Sequence, residues 1–199
     1  MLRAFTQLFL GLVLCGFAVA AMVRANLGLG PWDVFHQGVA QKSGLSLGMV
    51  FTLTSFVVLT LWVPLRQKPG IGTVANMILV GIATDVGLWI LPPVDEMLTR
   101  YALLLLGIVG TGIGAAAYLA TGLGPGARDG LMTGLNSKYG WPLHRVRTGI
   151  ELVMLGLGWL CGGKVGVGTV AFAVLVGPVL HWSLPLWKHQ APSPVRAPN

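Results

Sequence analysis

Six stretches of the chain are almost wholly apolar: Phe5 to Val23, Leu47 to Leu65, Val74 to Leu91, Tyr101 to Ala120, Thr148 to Cys161 and Val165 to Trp187. Polar residues collect between these runs and do not alternate within them. In hydrocarbon only helices and closed barrels satisfy every backbone N–H and C=O, and continuous apolar runs select helices. Crossing a bilayer takes about 20 residues. The fifth run is short for this, and its edges are blurred by Arg145 and Arg147 before it and Gly162-Gly163 after it. The pattern predicts an all-α membrane protein of about six transmembrane helices.

The second half of the pattern repeats the first. Residues 5–91 laid over 101–187 align Gly11 with Gly107, Gly16 with Gly112, Gly38 with Gly134, Lys42 with Lys138 and Gly44 with Gly140. GIGTVAN at Gly70 to Asn76 matches GVGTVAF at Gly166 to Phe172. The GLGP of Gly28 to Pro31 is matched to that of Gly122 to Pro125, with two residues inserted after the second proline. Two three-helix units are expected, residues 1–96 and 97–187, followed by a polar, proline-rich, disordered cytoplasmic tail over 188–199. Because three spans is an odd number, two units folded alike lie upside down relative to each other, as in several secondary transporters. The repeat also argues against cleavage of the first run as a signal peptide at Ala18-Val19-Ala20, since the run it matches lies mid-chain.

Each GLGP leads into a stretch of modest helical character, Trp32 to Lys42 and Gly126 to Lys138. Each unit is thus expected to carry a short extra helix after its first span. Proline suits a first helical turn, glycine lets backbone approach closely, and a helix N-terminus attracts anions. Gly28, Gly30, Asp33, Gly122, Gly124 and Asp129 are therefore candidate substrate-binding residues of re-entrant segments. The plainer reading is a pair of interfacial turns, with Trp32 in an aromatic belt and the two aspartates complementing helix dipoles.

Composition agrees with the pattern. Charged residues make up 10% of the chain, against about 25% in soluble domains, too few to cover a water-facing surface. Thirteen Lys and Arg against six Asp and Glu give +7. These cations fall between the apolar runs, where membrane lipids and topology account for them and nucleic acid does not. With the N-terminus inside, the cytoplasmic segments hold Arg3, Arg66, Lys68, Arg128, Lys138, Arg145, Arg147, Lys188 and Arg196, and the other side holds Arg24, Lys42, Arg100 and Lys164. Both termini are therefore expected in the cytoplasm. Cys15 and Cys161 lie in apolar runs without a CxxC or a His cluster, so neither a disulfide nor a metal site is expected, nor any cofactor.

Ionisable groups inside the runs are few: Asp85, Glu151 and His181. An aspartate at the bilayer centre costs about 2.5–3.5 kcal/mol on insertion scales unless it meets protein, water or a partner. These three are the candidates for ion coupling. Asp85 and His181 occupy equivalent positions in the two units, where the bland alternative is contact with headgroups. Glu151 follows Arg147 by four residues, the spacing of a pair on one helix face. The chain has no G-x-S-x-G, H-E-x-x-H or Walker loop, and its four His residues are scattered, so it is not expected to be an enzyme.

At GLGPWDVF in the first unit, and at ELVMLGLGWLCGGKVGVGTVAFAVLVGP in the second, the chain resembles the YczE/YyaS/YitT group of bacterial membrane proteins, and its YczE branch most of all. The resemblance runs over nearly the whole chain. It implies a bacterial source and the cytoplasmic membrane, and brings no agreed set of site residues. The function expected is a small-solute transporter or permease with its site between the inverted units. The alternative is a non-transporting accessory or scaffold protein that supports another membrane component. Expected partners are membrane lipids, a small solute and a second copy in a homodimer.

Overall fold

Small residues bring the two longest helices together at the centre of the molecule. Helices α1 (Leu2–Ala25) and α5 (Met97–Ala120) cross where Gly11 faces Gly114 and where Gly107 faces Ala18 and Met22. A Cβ on Gly114 would stand 2.7 Å from the Gly11 carbonyl oxygen. Such crossings let backbones touch, and dispersion contacts rather than hydrophobic burial drive helix association in lipid. Gln7 Nε2 spans the same interface to donate to the Ala117 carbonyl at 2.8 Å. The computed structural model describes residues 2–188, and all regular structure among them is helical. Of the expected tail over 188–199, Lys188 is the last residue of a helix and the rest lies outside the described residues.

Helices α4 (Ile71–Ile90) and α8 (Val167–Lys188) flank this pair. α4 packs on α1 where Gly16 meets Ala83 and Thr84, and α8 packs on α5 where Gly112 meets Val179 and Leu180. The entries to α4 and α8 are built alike. Gly72 N donates to Leu123 O at 2.9 Å and Gly168 N to Leu27 O at 2.8 Å. Thr73 Oγ1 accepts from Gly70 N, and Thr169 Oγ1 from Gly166 N, both at 3.2 Å. Corresponding residues lie 96 apart throughout, as Leu27 and Leu123 do.

This spacing corrects the alignment of the two GLGP segments. Gly28 (φ 109°) corresponds to Gly124 (φ 132°), and Gly30 corresponds to Gly126, the two residues that begin the short helices with nearly identical backbone angles. No residues are inserted. A left-handed glycine is required where the Leu27 or Leu123 carbonyl turns toward its partner helix. Proline is tolerated either inside the first turn (Pro31) or just before it (Pro125). The repeated letters are therefore displaced by two residues from the repeated geometry.

The expected short helices form as α2 (Pro31–Ser43) and α6 (Ala127–Tyr139). α2 rests on α7 (Leu143–Leu160), where Gly158 admits the backbone of Val34 and Phe35. α6 rests on α3 (Leu47–Trp62), where the Trp62 indole covers Gly130 and its Nε1 donates to Ala127 O at 3.0 Å. Each short helix thus packs on a helix from the other half of the chain, and its N-terminus is carried to the centre. Against the six spans expected, four helices among the described residues, α1, α4, α5 and α8, are long and apolar enough to cross a membrane, or five if α2 and α3, bent by 114° at their break, count together as one span. α7 starts at Leu143, ahead of the apolar run, and carries Arg145, Arg147 and Glu151 along its first half. Phe9, Phe56, Leu106 and Trp159 are exposed on outward faces, as lipid-facing residues are.

The halves also differ at a seam between helices. α3 and α4 close on each other with Gly48 against the Gly81 backbone, and Asp85 on α4 accepts from Ser46 Oγ at 2.6 Å and Gly48 N at 2.8 Å. At the corresponding seam of α7 and α8, a side chain on Gly177 would point into open space. His181 and His144, which stand where Asp85 and Gly48 do, are both exposed.

Candidate functional site

The N-termini of α2 and α6 converge on two adjoining cavities between the halves. Both are walled by Trp32, Asp33, Ala115, Tyr118, Arg128 and Asp129. The inner cavity, about 60 Å³, reaches toward His36, Ser55 and Asn76. The outer one, about 250 Å³, extends between α7 and α8 to Arg147, Glu151, Gly177 and His181. Its mouth is the open seam.

Most of the acids in the wall are held. Tyr118 Oη donates to Asp129 Oδ2 at 2.7 Å, and Arg147 Nε donates to Glu151 Oε1 at 3.0 Å. Asp33 is buried and has His36 Nδ1 at 3.5 Å, longer than a good hydrogen bond. Arg128 Nε stands 3.8 Å from Asp129 Oδ1, and the guanidinium makes no hydrogen bond among the described residues. Trp32 Nε1 and His36 Nε2 are buried without a hydrogen-bond partner there.

Of the six binding candidates read from the sequence, Gly30, Asp33 and Asp129 line the cavities. Gly28 and Gly124 do not. They pack against Gly166 and Gly70, where they shape the loops that meet α8 and α4. Gly122 is an exposed turn residue. Of the ion-coupling candidates, Glu151 and His181 reach the outer cavity, while Asp85 lies in the closed α3–α4 seam. Two further readings are corrected. Trp32 is not an interfacial belt residue, being 6% exposed, and Arg128, counted with the cytoplasmic loops, forms part of the cavity wall. Tyr118, His36 and Asn76 were not singled out by sequence reasoning. A lone Tyr or His near an apolar run carries no signal of the carboxylate that packing will bring to it.

Comparison with known proteins fixes the family. A model described as a family of unknown function, DUF6198, matches residues 2–185. The chain belongs to DUF6198. It is 36% identical over 182 residues to the uncharacterized membrane protein YczE of Bacillus subtilis, an alignment covering 90% of this chain and 85% of that one. An uncharacterized protein of Haemophilus influenzae is also 36% identical over 182 residues, covering 92% and 84%. The uncharacterized protein YyaS of Bacillus subtilis is 25% identical over 181 residues, covering 89% and 90%. The resemblance to the YczE and YyaS proteins therefore holds. No solved structure matches.

This DUF6198 member is a membrane protein, and its polar groups sit in a setting that gives them weight. Charges in hydrocarbon are costly and are retained where they face a cavity or a partner. Helix N-termini present unpaired N–H groups and partial positive charge. Two such ends, two guanidiniums and three carboxylates around the outer cavity form a site that can hold and orient a small polar solute.

Proposed function

We propose that this DUF6198 member is a small-solute transporter of the bacterial cytoplasmic membrane, with six spans in two inverted three-helix repeats and both termini cytoplasmic. The observation that carries the reading is the polar cavity shut at the α3–α4 seam and open at the α7–α8 seam. Alternating access needs two such gates around a fixed site. A two-fold repeat supplies them, and a difference between equivalent seams is what one end state of the cycle looks like. Gly168 N bonded to Leu27 O sets the start of α8 beside the end of α1, so the open mouth, near the end of α8, faces the side of the N-terminus. Moving Arg128 out of the loop tally leaves the positive-inside bias intact. The open state is then inward-facing.

Sided chemical labelling tests this. In a chain with Cys15 and Cys161 replaced by alanine, Ala115→Cys puts one thiol in the wall shared by both cavities. A small charged methanethiosulfonate reagent is expected to reach it from either face of the membrane, faster from the cytoplasmic face. Reaction from one face only, under every condition, would favour the scaffold reading.

A further inference from the structure

Arg128 stands in the first turn of α6, a cation at the positive end of a helix, where its own dipole disfavours it. Asp129 beside it is already engaged by Tyr118. The residue that corresponds to Arg128 in the other half is Trp32, 6% exposed, with an Nε1–H that has no acceptor among the described residues. A guanidinium and an indole N–H therefore line one cavity with their hydrogens unclaimed. The planar guanidinium fork matches the two oxygens of a carboxylate.

A bare anion fits this wall poorly. Asp33, Asp129 and Glu151 outnumber Arg128 and Arg147 in the outer cavity, so an added carboxylate alone would deepen an excess of negative charge. A bare cation would leave the Arg128 and Trp32 donors unmet. Asp129 and Glu151 are held by neighbours, whereas Asp33 has only His36 at 3.5 Å, and His36 Nε2, 3% exposed as a residue, has no partner. Asp33 thus offers an acceptor to the same outer cavity that Arg128 and Trp32 face with free donors, and His36 stands behind it on the inner cavity. Phe172, Val176 and Leu180 supply an apolar wall beside them. The outer cavity of about 250 Å³ equals roughly eight water volumes at ~30 Å³ each, which limits the ligand to a compact molecule.

Resting on the transport reading, we infer that the solute is a small zwitterion of the amino-acid kind, its carboxylate on Arg128 and Trp32 and its ammonium toward Asp33. The experiment is thermal unfolding and equilibrium binding of the purified full chain with the proteinogenic amino acids. Each one that binds is followed by its decarboxylated amine and its deaminated acid. At least one amino acid should raise the unfolding midpoint, and the matched amine and acid should bind about tenfold or more weaker, as loss of a hydrogen bond to a charged group requires. Arg128→Lys, which keeps the charge and loses the fork, should weaken the amino acid by a similar factor, and Trp32→Phe should do so independently. An acid or amine binding as tightly as the amino acid overturns the zwitterion while leaving transport to the labelling test. Amino-acid binding indifferent to both variants overturns the site, and no binding across the panel overturns the inference.

Discussion

At Gly124 the backbone takes φ 132°, and an added Cβ would stand 2.9 Å from Thr73 Oγ1 and 3.0 Å from Gly70 Cα. Gly124→Ala combines strain with a clash and is expected to cost about 1–3 kcal/mol, lowering the unfolding midpoint in detergent. Gly149, helical with open space around it, is the control: alanine there should leave stability unchanged or raise it by up to about 1 kcal/mol. Equal losses at both sites would contradict the loop contact. Tyr118→Phe removes the donor to Asp129 and should cost about 1.5–3 kcal/mol, the range for hydrogen bonds to charged groups. Asp33 and Asp129 were legible in the sequence because acids after glycine and proline in so apolar a chain are few. Arg128 was not, because a cation between apolar runs reads as a loop charge until α6 is seen to carry it inward.

Among the elements, the two seams carry opposite expectations for the same substitution. Gly81 touches the Gly48 backbone, with an added Cβ 2.6 Å from Gly48 O, whereas Gly177 faces open space. Gly81→Leu should wedge α3 from α4 and lower the unfolding midpoint by an overpacking cost of about 1–3 kcal/mol. Gly177→Leu should leave the midpoint nearly unchanged. Similar losses for both would mean that the α7–α8 seam is as closed as the other. The long helices α1, α4, α5 and α8 were legible as apolar runs because lipid demands that pattern. The start of α7 was hidden because Arg147 and Glu151 turn toward a cavity, and cavity walls interrupt hydropathy in the way loops do. The GLGP segments misaligned for a related reason: proline and glycine are allowed at several positions of a helix start, so their letters do not fix its register.

For the molecule as a whole, the 96-residue correspondence extends from the α1–α5 crossing to the entries of α4 and α8 and breaks at the seams. Matching halves alone do not call for unequal seams, whereas the alternating access proposed above calls for them in each end state. The measurement that bears most directly on this is the distance distribution between spin labels across each seam in lipid, at Leu53 and Ile78 for α3–α4 and at Gly149 and Val174 for α7–α8. All four positions are exposed. Alternating access predicts two populations at each seam, a short α3–α4 distance going with a long α7–α8 distance and the converse, with Gly81→Leu shifting the balance toward the converse. A single unchanging distance at each seam, in that variant as in the native chain, would contradict it.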